Sequence, residues 1–218
     1  MHSQVILILI GWFMGVLNTV GYELYKGYLD GKRLKTAILS ELKELLPRLV
    51  LTYYVLIKKT GDYNKENVQW VYNNLSSYED KSKALKIESL KEKLGKLLEQ
   101  NDILIKSIIN SETAETEVEH IKSINLSFNK ESIEKFSLLS EELRLIIFDV
   151  RTKVNIMNEL ADIINFYFKQ TFVPGMPDKN HEIIVNNIIS NYKIYIMQSK
   201  IVVERIKEIF ELEKDKTA

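Results

Sequence analysis

Three histidines, His2, His120 and His181, lie far apart in 218 residues that contain no cysteine. The missing thiols remove disulfides, thiolate nucleophiles and Cys-ligated zinc together. His181-Glu182 is half of a zincin helix motif, but the position of the second histidine is held by Val185. Gly27 to Arg33 reads G-Y-L-D-G-K-R. A phosphate loop needs one more residue between its glycines, a Ser or Thr after the lysine and a strand before it, and none of these is present. The Arg-then-His spacing of small helical RNases is missing as well. Glu41, Glu44, Glu141, Glu142, Glu159 and Asp162 have the chemistry of di-metal ligands, yet the Glu-x-x-His companions of such bundles are absent. They read as solvated faces paired with lysine. No catalytic residue, cofactor or metal ligand is therefore expected, and a hydrolase would need an unrecognised carboxylate site.

Charge narrows the partners. Lys plus Arg and Asp plus Glu both number 30, so the net charge is zero. Phosphate neutralisation supplies most nucleic-acid affinity, and a balanced chain points away from nucleic acid. Only five cations are arginine, the residue suited to bidentate anion recognition.

These scarce groups must be positioned by helices. The chain has 8 Gly and 3 Pro, and five of the glycines precede residue 32, leaving a long remainder almost without breakers. Val5 to Gly21, VILILIGWFMGVLNTVG, carries no charge. At about 1.5 Å per residue the stretch from Val5 to Tyr22 reaches roughly 27 Å, near the thickness of a bilayer's hydrocarbon. Tyr22, Tyr25 and Tyr28 follow where an aromatic belt would lie, and Lys26 could snorkel. Thr19-Val20-Gly21 would suit a signal peptidase, but no positive n-region precedes the apolar run, so an anchor is the expectation. Lys26, Lys32, Arg33 and Lys35 follow it and no cation precedes it. The positive-inside rule then predicts a single-pass inner-membrane protein, N-terminus outside and body cytoplasmic. Residues 1–25 form the anchor, spanning about 5–22, and 26–218 the body. Gly11, Gly15 and Thr19 recur at four-residue steps beside Asn18, a face on which membrane helices self-associate.

The expected fold is all-α: that transmembrane helix, then an elongated antiparallel bundle of about four long helices. After a turn at Asp30-Gly31, Leu34, Ile38, Leu42, Leu45, Leu49, Tyr53 and Leu56 step at helix period, with Pro47 expected to kink the helix. Asn64 is a plausible cap for a short helix from about Lys65 to Leu75. Ile87, Leu90, Leu94, Leu97, Asn101, Leu104 and Ile108 step 3-4-3-4-3-4, a coiled-coil seam. Asn101 would be its register-setting polar residue, and the lysines flanking the seam favour packing within the chain. Residues 111–129 read as a polar loop. A helix of about forty residues is expected from an Asn129 cap, ended by a breaking turn at 173–178. A last helix, about Asp178 to Glu213, pairs with it as a hairpin.

No motif selects a process. The leading expectation is a membrane-tethered scaffold held by lipid around its span and presenting the bundle to a protein partner or to further copies of itself. The alternative is a membrane-perturbing, defence-type effector that oligomerises through Gly11 and Gly15.

Overall fold

The computed structural model describes residues 2–76, 78, 87–100, 120–130 and 133–215, with side chains from Phe13 onward except at 129, 130 and 133. Among them the protein is all-helical and contains no strand. The order is α1 (His2–Lys59), α2 (Lys65–Ser76), α3 (Ile87–Leu98), a 3-10 turn (Ser127–Lys130), α4 (Ile133–Phe136), α5 (Glu141–Gln170) and α6 (Asp178–Asp215).

Among the described residues no helix is long and apolar enough to cross a membrane. This overturns the transmembrane anchor, and with it the single-pass inner-membrane placement. The physical reason lies in α1, which is one helix of 58 residues rather than a span followed by a turn. It runs unbroken from the apolar stretch through Asp30-Gly31 and on into the core. Glu23, Lys26, Asp30, Lys32 and Arg33 then bring a charge to nearly every turn. The side chains of residues 1–12, and so the surroundings of Gly11, lie outside the described residues.

The expected turn at Asp30-Gly31 is also corrected. Gly31 is helical and buried, and its role is close approach. A Cβ built on it would lie 2.9 Å from the carbonyl oxygen of Leu138. Below it α1 enters the core through Ile38, Leu42, Leu45, Leu49, Val50, Tyr53 and Leu56. The helix continues through Pro47, which is itself buried, and ends at Thr60-Gly61. There Gly61 takes the positive φ of 75° that a chain reversal after a helix requires.

α6 crosses the core half of α1 in the opposite direction. Lys35 pairs with Glu213 at one end, and Lys200 reaches Tyr53 toward the other. α5 and α6 form a hairpin around Val150, Val154, Met157, Ala161, Ile164, Tyr192, Tyr195, Val202 and Ile206. Between them Thr171 to Pro177 turns the chain, with Gly175 at φ 74°. α2 starts at Asn64, whose Oδ1 accepts the Asn67 N–H at 2.9 Å. It lies between α1 and α3, and α3 buries Ile87, Leu94 and Leu97 within this one chain. Asn101, Leu104 and Ile108, the rest of the predicted seam, lie outside the described residues, as does 111–119 of the predicted polar loop.

The forty-residue helix from Asn129 divides. Asn129 sits in the 3-10 turn, α4 lasts a single turn, and the chain breaks over Ser137 to Ser140 before α5 begins. Ser140 has the extended backbone of an N-cap position (φ −60°, ψ 149°), and Glu141 and Glu142 face the positive end of the helix dipole. Residues 120–126 form an extended strap laid across α5. Two asparagines seven residues apart on α5 hold it. Asn165 Oδ1 accepts the Ile121 N–H at 3.0 Å and its Nδ2 donates to Ile121 O at 2.8 Å. Asn158 does the same for Ile124, at 2.7 and 2.9 Å. Each amide stands in for a neighbouring strand, satisfying backbone groups that would otherwise be buried without partners. Ile121, Leu126 and Phe128 then fill the core from the strap and the turn after it.

Candidate interaction surface

Helix spacing builds this surface. In α1, Phe13, Leu17, Val20, Leu24, Gly27, Gly31, Leu34 and Ile38 step 4-3-4-3-4-3-4, so they share one seam. The body covers its lower part: Ile38 is 1% exposed and Leu42, just below, is fully buried. Leu138 makes the last contact, set over the two glycines, with its Cδ2 4.0 Å from where a Gly27 Cβ would lie. Above that knob the seam has no cover within the described chain. Every residue from Phe13 to Lys26 is exposed, including Phe13 at 57%, Leu17 at 50% and Leu24 at 71%. Single exposed apolar side chains are ordinary on protein surfaces, but a continuous row of them on a projecting helix is not. The sequence carries the same steps further toward the N-terminus at Ile10 and Ile6.

Gly15, Asn18 and Thr19 are exposed on the opposite side of the same arm. The Thr19 hydroxyl donates to Gly15 O at 3.0 Å, so it is satisfied inside its own helix. Small-residue faces pack helices where lipid cancels the hydrophobic drive, whereas in water the large apolar side chains dominate association. The glycine spacing is the more conspicuous pattern in the sequence, although the large apolar side chains form the seam. The signal was present in the 3-4 spacing that links Phe13 to Ile38.

The polar groups below the arm are mostly spent on structure. Lys200 of α6 lies 5.4 Å from the Tyr53 ring centre and 5.7 Å from that of Trp70, and its Nζ donates to Asn67 Oδ1 at 3.0 Å. Tyr53 donates to the same oxygen at 2.7 Å, and Asn67 Nδ2 donates to Asp62 O. Burial, reinforced by the negative Asp62 and Glu66, raises the Tyr53 pKa and keeps the phenol a donor. This knot joins α1, α2 and α6. Of the carboxylates with di-metal chemistry, Glu41 accepts the Ser127 N–H and Oγ–H at 2.5 and 2.7 Å. Glu44 lies near Arg48, and Glu141, Glu142, Glu159 and Asp162 face solvent along α5. Among the described residues no three His, Cys, Asp or Glu side chains come together as metal ligands. His120 and His181 are both exposed and far apart in the chain.

No protein-family model matches the chain, and comparisons with curated proteins and with solved structures find none similar to it.

Proposed function

We propose that the protein is a helical interaction module that assembles with a second copy of itself through the apolar arm of α1. One observation carries the reading. A seam that the body buries at Ile38 and half-buries at Leu34 runs on at Leu24, Val20, Leu17 and Phe13, with no described residue over it. A copy of the same helix offers the matching periodicity. Glu23 and Lys26 are the only charges between Phe13 and Leu29, so this stretch carries no net charge to oppose a second copy. Full burial of a large apolar side chain is worth about 1.5–3 kcal/mol of transfer free energy, so four per arm give a driving force of the same order as the cost of association. The consequence is a scaffold that brings two bundles to a fixed separation and raises the effective concentration of whatever each one binds.

Sedimentation of the full chain in aqueous buffer tests this. The wild type is expected to run as a dimer or larger assembly. Leu17→Glu with Leu24→Glu should run as a monomer whose bundle melts at the wild-type temperature. A monomeric wild type, or an assembly indifferent to both changes, overturns the reading. So does a chain that floats with phosphatidylcholine vesicles and stays monomeric without them, because the seam would then belong to lipid.

A further inference from the structure

A cavity of about 410 Å³ opens between α1 and the strap, with Tyr195 of α6 on its wall. Tyr195 is only 2% exposed, and its hydroxyl makes no hydrogen bond to any described residue. Its ring packs in the core, and the residue forms part of the cavity wall. Burial pushes its pKa up to about 12, so it remains a protonated donor.

Thr52, one wall over, is half-buried. Elsewhere in the helices Thr19, Thr36 and Thr152 donate back to the carbonyl four residues before them. The Thr52 hydroxyl makes no such bond, and it lines this cavity. Two cations stand at the mouth. Lys122 has no ion-pair partner among the described residues, and Arg48 meets Glu44 only at 3.7 Å, with both side chains 68% exposed. Glu41 also lines the cavity, but both of its oxygens are occupied by Ser127. Donors therefore outnumber available acceptors, Glu44 being the one carboxylate not already engaged by hydrogen bonds. A space of this size lies within the range of small-molecule sites.

We propose that this cavity binds a small metabolite through its oxyanion, a carboxylate or a phosphate. Tyr195 and Thr52 donate to it from the buried side, and Arg48 and Lys122 neutralise it at the mouth. Arg48 supplies the forked donor geometry that such a group matches, and it can leave its loose, solvated pair with Glu44 at little cost. The ligand would bridge α1, α6 and the strap. The site lies on the body, and nothing in it depends on the arm or on assembly.

The test is calorimetric titration of the full chain at low chloride with two probes, inorganic phosphate and succinate. Saturable binding of one probe and not the other identifies the oxyanion, and binding of both assigns the shared chemistry. Tyr195→Phe removes one oxygen and leaves the packing ring in place, so the variant should keep its melting temperature and bind about tenfold more weakly. Arg48→Gln, at an exposed helical position, should weaken binding by at least as much. Failure of both probes to bind by about 10 mM overturns the proposal. Binding that both variants leave unchanged does so too, since it would report anions on surface lysines. If Tyr195→Phe melts early, Thr52→Val and Arg48→Gln decide the matter by the same criterion.

Discussion

Gly31 shows how one residue fixes where the body stops. The helix would gain about 1 kcal/mol from alanine there by propensity alone. The new Cβ, however, would lie 2.9 Å from a backbone oxygen, Leu138 O, and 3.2 Å from Leu138 Cβ. A carbonyl cannot rotate away as the tip of a side chain can, so the Ser137–Ser140 loop must move and Leu138 must lose its seat over the seam. Gly31→Ala should therefore destabilise the fold by about 1–2 kcal/mol in urea denaturation, the range of a modest overpacking. Gly21→Ala, ten positions up the same helix with nothing within 4 Å of its Cβ, should do no harm. Opposite signs for one substitution in one helix would separate close approach from propensity. Equal small effects would mean that the Leu138 contact is slack. The sequence offered Gly31 as a turn because Asp-Gly is a turn dipeptide; its close neighbour Leu138 lies more than a hundred positions away, which no local pattern contains.

Among the elements, legibility followed periodicity and failed where the backbone is held by something non-local. The core stripe of α1, the face of α2 and the long α6 were all readable, since apolar steps of three and four leave no other regular structure to bury them. The break between α4 and α5 was not readable. Phe136, Leu139 and Leu143 keep a helical step across it, and all three are buried. A row of buried side chains cannot reveal whether the backbone between them is continuous. The strap was hidden for a second reason. Ile121 and Ile124 have no partner strand, and their peptide groups are satisfied by amides 44 and 34 residues further on. Those four bonds are the strap's attachment. Asn158→Ala with Asn165→Ala leaves four buried or half-buried backbone groups without partners, at about 1–3 kcal/mol each where water cannot reach them. The paired variant should lose at least about 2 kcal/mol of stability, and the amides of Ile121 and Ile124 should exchange with deuterium far faster than those in the middle of α5. Exchange that stays slow would mean the apolar anchors Ile121, Leu126 and Phe128 hold the strap unaided.

At the scale of the whole molecule, α1 belongs to two systems. Its lower half is a wall of the core, and from Phe13 to Lys26 it touches nothing in the described chain. Helices that rely on propensity alone are marginal in water, and most gain their stability from packing an apolar face. The arm's helicity should therefore depend on whatever covers its seam, while the body's does not. If the cover is a second copy, dilution removes it by mass action. Diluting the full chain through its dissociation range should lower the far-ultraviolet helix signal by the share belonging to the arm. The near-ultraviolet signal of the packed Tyr53–Trp70 pair, whose ring centres lie 4.4 Å apart, should stay constant. A chain shortened to begin at Gly27 should show neither the concentration dependence nor assembly, and should melt within about 2 °C of the full-length protein, because the arm buries none of the core that sets the melting temperature. A concentration-independent helix signal in a full chain that remains assembled would place the contact elsewhere. A shortened chain that melts much lower would show that the arm and the body share one cooperative unit after all.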